Sequence, residues 1–192
     1  MTPVPRTVLR LTAALACSAG LLVTAPGLAS AAELVRTDPA RDVVGVSMSS
    51  DKEQVAPGER GIDIRKVRAS HGTDVLVIQL RTRGRLAHKG VILNAAVRTP
   101  GGSYDVTHLR FAGATESALT SGNAEVACPG FAVERGRRTA TITIPTACIG
   151  DPAWVRVGVG IAQARGKRFY ADDGLSRTVG NRLKLSGKIA RG

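Results

Sequence analysis

From Gly61 onward the chain is written in short apolar alternations separated by turn residues, and no stretch carries the period of a long amphipathic helix. Ile62 and Ile64 alternate with Asp63 and Arg65, the phase slips at Lys66, and Val67 and Ala69 resume it. A one-residue slip inside an alternating run predicts a β-bulge. His71-Gly72-Thr73-Asp74 is turn chemistry, and residues 75–80 are almost continuously apolar, so the runs on either side are expected to pair as a hairpin. Residues 91–97 and 103–111 flank Thr99-Pro100-Gly101-Gly102 as a second hairpin. Residues 125–134 and 139–144 flank Arg135-Gly136-Arg137-Arg138 as a third, with Cys128 in its first arm. Pro145 stops the second arm, 146–149 make one helical turn bearing Cys148, 154–161 return as a strand, and a last hairpin runs through 168–170. Residues 112–123 read as small and polar, and 33–60 as mixed, with a strand around Val43 to Met48 and then a polar loop. About eight or nine short strands spaced by roughly ten residues predict an all-β, antiparallel β-sandwich of immunoglobulin-like or jelly-roll type. The 22 Gly and 9 Pro among 192 residues agree, since turns consume both, and an all-helical fold is excluded.

The first 31 residues read differently. Arg6 and Arg10 precede an apolar stretch, Pro26-Gly27 ends it, and Ala29-Ser30-Ala31 supplies the small residues of a signal-peptidase site. A signal peptide over 1–31 is therefore expected, cut after Ala31 or Ala32, with a secreted, extracellular product that has no transmembrane segment. A membrane anchor would need an unbroken apolar run and a basic far flank, and lipidation of Cys17 would need polar residues after it. The expected organisation is a signal peptide (1–31), an N-terminal segment with an acidic loop (32–60), a sandwich core (61–175) and a basic, frayed tail (176–192).

Loss of Cys17 with the signal leaves Cys128 and Cys148, 20 positions apart, and two cysteines in an exported chain are expected to form a disulfide. A metal or redox pair would need a Cys-x-x-Cys spacing or neighbouring histidines. Trp154, the only tryptophan, follows closely and is expected in the core beside the bridge.

Removing Arg6 and Arg10 from the 27 basic residues leaves 25 against 15 acidic ones, a formal +10, so an anionic partner is expected. One basic group has a geometry: Arg81, Arg83 and Arg85 share a face if the strand from Val75 continues, with His88 and Lys89 directly after. Arg81, Arg83, Arg85 and Lys89 are thus candidate ligands for an anionic cell-envelope polymer, although such a row is better explained as protecting a sheet edge from aggregation. Nothing resembles a base-reading motif, so sequence-specific nucleic acid is not expected.

Asp38-Pro39-Ala40-Arg41-Asp42-Val43, Ile62-Asp63-Ile64, Cys128-Pro129-Gly130, Ile144-Pro145-Thr146-Ala147-Cys148-Ile149-Gly150, Pro152-Ala153-Trp154-Val155 and Asp172-Asp173 occur in an order that resembles a group of uncharacterised secreted actinobacterial proteins. The resemblance spans most of the chain after the signal and implies export and the sandwich, but no activity. Where that group tends to have Gly between the first aspartates, this chain has Arg41. The same acidic segment is more distantly similar to carbohydrate-binding and DOMON-type sandwiches, in which an N-terminal acidic loop and a late aspartate hold calcium. That likeness implies a calcium site drawn from Asp38, Asp42, Asp63, Asp172 and Asp173. Read alone, these residues are better explained as turn aspartates at strand ends.

Catalysis finds little support. There is no Gly-x-Ser-x-Gly and no free cysteine after the signal, and His71, His88 and His108 stand in separate segments, the first two in turns. No carboxylate pair stands out, and six aromatics leave few platforms for sugar rings. The expected function is a secreted, non-catalytic binding module acting at the cell envelope through its basic surface. The alternative is a calcium-stabilised carbohydrate-binding sandwich, and a secreted hydrolase is the least supported. No cofactor other than calcium is expected.

Overall fold

The computed structural model describes residues 32–50 and 52–192. The signal segment expected over 1–31, with Cys17, lies outside the described residues. The first seven strands are β1 (Ala32–Thr37), β2 (Val44–Ser47), β3 (Glu53–Val55), β4 (Ile64–His71), β5 (Val75–Thr82), β6 (Val91–Arg98) and β7 (Ser103–Phe111). The rest are β8 (Ala114–Ser121), β9 (Ala124–Glu125), β10 (Ala132–Arg135), β11 (Thr139–Pro145), β12 (Trp154–Arg165), β13 (Arg168–Asp173) and β14 (Ile189–Ala190). One 3₁₀ turn, Thr146–Ile149, follows β11. Among the described residues no helix is long and apolar enough to cross a membrane.

The strands form an antiparallel β-sandwich. One sheet runs β1-β4-β5-β11-β10; the other runs β3-β2-β13-β12-β6-β7-β8-β9, with β14 added beside the start of β12. The period-two pattern explains the pairing. Leu76, Ile78 and Leu80 of β5 lie opposite Ile144, Ile142 and Ala140 of β11. All six are buried, as are Val155, Val157, Val159 and Ile161 of β12 on the facing sheet. A one-residue slip in either strand would carry these side chains to the wrong face, so burial fixes the register.

The phase slip at Lys66 is a bulge. Ile64 pairs with Thr82 and Lys66 with Arg81, which leaves Arg65 as the extra residue. The bulge keeps both Ile64 and Val67 in the core despite their odd spacing, and it makes the Arg65 carbonyl an acceptor for the Asp38 amide at 3.2 Å.

Several expectations need correction. The small polar stretch 112–123 holds β8, an extended but largely exposed strand whose one buried side chain is Leu119. β1 and β3 likewise lack an apolar pattern because they are sheet edges. Cys128 lies before β10 and not inside its hairpin, since Pro129 lacks an N–H and Gly130 turns the chain at φ 87°. Trp154 is outside the core: Val155 takes the inward phase, leaving Trp154 half-buried beneath the Lys188 ammonium, 4.3 Å from the ring centre.

The basic tail is packed and not frayed. Where β13 ends, the C-terminal segment takes its place alongside β12: the Ser186 amide donates to the Val157 carbonyl at 2.8 Å, and the Arg191 amide to the Ala153 carbonyl at 2.9 Å. Glycines in β12 make room for it, because a Cβ on Gly158 would stand 2.6 Å from the Lys184 carbonyl oxygen. Ile189 is buried, and the Gly192 amide donates to the His71 carbonyl.

Candidate metal centre

Asp38 and Asp42 sit in the short connection that carries the chain from β1 in one sheet to β2 in the other. Asp172 enters from β13, which pairs with β2 through Ala171 and Val44. The three carboxylates converge where the sheets meet, and each offers an oxygen within 4.8 Å of the others. Asp38 and Asp172 are almost wholly buried, at 2% and 3% exposure.

The hydrogen bonding is incomplete. Asp172 Oδ2 accepts the Ile64 amide at 2.6 Å, which locks β13 to the start of β4. Asp38 Oδ2 and both oxygens of Asp42 are buried with no hydrogen-bond partner. Among the described residues no Lys or Arg nitrogen comes within 4.0 Å of these three carboxylates. An unpaired buried carboxylate is costly, so the cluster is unfavourable unless protonated or neutralised by a cation.

Burial, followed by the charges of Asp172, Asp42 and Asp173, pushes the Asp38 carboxyl up to about 8, and Arg65 only partly opposes this. Burial raises Asp172 to about 7 against the favourable Ile64 amide, helped by Asp42 and Asp63. Asp42 is also raised, mainly by burial. Calcium–oxygen distances of about 2.3–2.6 Å place oxygens on opposite sides of the ion about 4.6–5.2 Å apart. The observed separations, all within 4.8 Å, fit inside that span, and an all-oxygen, anionic donor set suits a hard divalent cation. An open depression of about 770 Å³, bordered by Asp38, Pro39, Arg65 and Lys184, leads to Asp38 from solvent.

The remaining two aspartates have other work. Asp63 is fully buried, its Oδ2 accepts the Arg41 amide at 2.9 Å, and the Arg83 Nε forms an ion pair with it at 2.9 Å. Its Oδ1 has no hydrogen-bond partner. The alternation placed Asp63 outward, but the loop after β5 covers it, with the Arg83 amide donating to the Asp63 carbonyl at 2.7 Å. Asp173 receives the amides of Leu175 at 3.0 Å and Lys184 at 2.8 Å, so it anchors the C-terminal segment. Arg41 adopts φ 70°, a left-handed conformation that suits Gly, and the Asp63 carboxylate holds its amide there.

The expected arginine row does not form. β5 ends at Thr82, Arg83 turns inward to Asp63 and to the Pro57 carbonyl at 2.6 Å, and only Arg81, Arg85 and Lys89 remain exposed. His71 is not in a solvated turn: it ends β4 fully buried, with Nδ1 3.1 Å from the Ile189 carbonyl. Extending the inward phase of Val67 and Ala69 by one step identifies that position as buried.

A pH trend follows for the calcium-free protein. Asp38 and Asp172 hold protons in the fold to about 8 and about 7, against about 3.9 for an unfolded aspartate. The folded state binds more protons across that window, so stability is expected to fall as pH rises from about 4 to about 8. His108, held below its usual value chiefly by burial, acts in the opposite sense. Melting curves in chelator at pH 5, 6.5 and 8.5 should therefore be compared with those of the Asp38→Asn/Asp172→Asn double variant. The parent should lose stability relative to the variant with rising pH; a parallel trend contradicts the carboxyl cluster as its source.

Comparison of the chain with family models, with curated proteins and with solved structures finds no match.

Proposed function

We propose that this protein is an exported, non-catalytic binding module in which one calcium ion, held by Asp38, Asp42 and Asp172, clamps the crossing between the two sheets. The observation that carries the reading is the cluster of three converging carboxylates with buried, unpaired oxygens and, among the described residues, no Lys or Arg nitrogen within 4.0 Å of them. Calcium would supply charge neutralisation and rigid loops, with Asp63 contributing to the field from behind. The disulfide suits an oxidising compartment and so supports export. A binding role is supported by how the nucleophile candidates are used. Cys128 and Cys148 are joined to each other, and His71, His88 and His108 lie on separate elements, with His71 directed to a backbone carbonyl.

The test is thermal melting of protein beginning at Ala32 in calcium and in chelator. At a free calcium concentration about 100-fold above Kd, linkage contributes about 2.7 kcal/mol, or roughly 5–10 °C in Tm for a chain of this size. Equal melting temperatures in the two conditions would show that the carboxylate cluster holds no calcium.

A further inference from the structure

A second charged cluster lies on different elements. Arg85, His88 and Lys89 of the β5–β6 loop, Arg110 near the end of β7, and Ala112 and Gly113 beyond it line a depression of about 560 Å³. Arg135, ending β10, packs behind the loop and donates through Nη2 to the Ala87 carbonyl, while its Nη1 is buried with no partner. His108, 2% exposed, faces the same group: Nδ1 is 2.8 Å from Ser117 Oγ, and Nε2 is buried and unpaired. Arg110 and Arg135 both act electrostatically on His108 and, with Arg85, on His88. None of Arg85, Lys89, Arg110 and Arg135 forms an ion pair among the described residues.

Gathered cations repel one another, and among the described residues no carboxylate oxygen lies within 4.0 Å of these to offset the repulsion. The scaffold is fixed before any ligand arrives. Leu86 is buried and its amide donates to the Arg137 carbonyl at 2.8 Å, the Ala87 amide donates to Gly61 at 3.2 Å, and Gly90 turns at φ 61° with its carbonyl on the Ala164 amide. A loop pinned at both ends that presents guanidinium and ammonium groups to one depression is preorganised for an oxyanion.

We infer that Arg85, His88, Lys89 and Arg110, backed by Arg135 and His108, form a binding site for a phosphate group, free or carried on a polymer. The site is independent of the calcium reading, and because calcium precipitates phosphate its test is run in chelator.

Inorganic phosphate and short-chain polyphosphate are titrated into ¹⁵N-labelled protein at constant ionic strength, with chloride as the reference anion. Saturable shifts confined to the amides of residues 85–90 and 110–113 are expected. Arg110→Gln and Arg85→Gln should each weaken binding about tenfold or more, as loss of a charged hydrogen bond implies. Both side chains are exposed, so the variants retain the fold. Arg177→Gln, a cation on another surface, should leave affinity unchanged. Tighter binding of polyphosphate than of phosphate would identify a polymer as the ligand, and equal binding a free phosphate. Shifts no larger than chloride produces, or equal weakening by Arg177→Gln, would overturn the site in favour of diffuse charge.

Discussion

Asp38→Asn and Asp172→Asn are each expected to abolish the calcium-dependent rise in melting temperature, a loss of roughly 5–10 °C at saturating calcium, without lowering stability in chelator. The two conditions separate because each carboxylate has opposite effects in them. Without a cation, Asp38, Asp42 and Asp172 share a buried site in which ionising them is unfavourable, so they oppose folding increasingly as pH rises. An amide removes that repulsion and keeps the shape. At position 172 the amide oxygen still accepts the Ile64 amide, which the carboxylate meets at 2.6 Å, and the cluster keeps unpaired Asp42 oxygens as acceptors within it. With calcium present the same change removes an anionic ligand, and affinity depends on ligand charge. Differential scanning fluorimetry of parent and variants in both buffers reads the two effects together. Equal destabilisation in calcium and in chelator would mean that these aspartates serve the fold alone.

Cys128→Ser or Cys148→Ser is expected to cost about 3 kcal/mol, or about 6–12 °C in Tm, from the loop of 20 residues that the bridge closes. The bridge joins the segment before β10 to the 3₁₀ turn after β11. β10 is a short edge strand held by four paired positions, and the segment before it that carries Cys128 is not buried, whereas the Cys148 side is anchored by the buried Ile144, Thr146 and Ile149. Without the bridge this edge opens at lower temperature. Urea unfolding of the variants, and of the parent after reduction, should give matching losses. Equal stability of variant and parent would show that the bridge does not constrain the unfolded chain.

The local features of the fold were legible in the residues because they depend on near neighbours. The hairpins through 72–74, 99–102 and 136–138 follow from turn chemistry, and the bulge at Arg65 from a phase slip. The long-range features were not. Asp38 and Asp42 reach Asp172 only because β1 pairs with β4 while β2 pairs with β13, and strand order across two sheets leaves no periodic mark. The likeness to calcium-holding sandwiches pointed to five aspartates, of which the fold brings Asp38, Asp42 and Asp172 together, while Asp173 and Asp63 serve backbone amides. Arg83 was misplaced for a related reason. Its spacing matched a continuing strand, yet the chain leaves β5 after Thr82 to cover Asp63. The packed tail was invisible because its partner is backbone: only Gly158 and Gly160 hint that another segment crosses β12.

A calcium ion at the sheet crossing is read out by isothermal titration of calcium into chelator-stripped protein. One site per chain is expected, with protons released on binding at pH 7 because Asp38 and Asp172 must ionise. Absence of binding at millimolar calcium, or binding unchanged in the Asp38→Asn/Asp172→Asn variant, would contradict it.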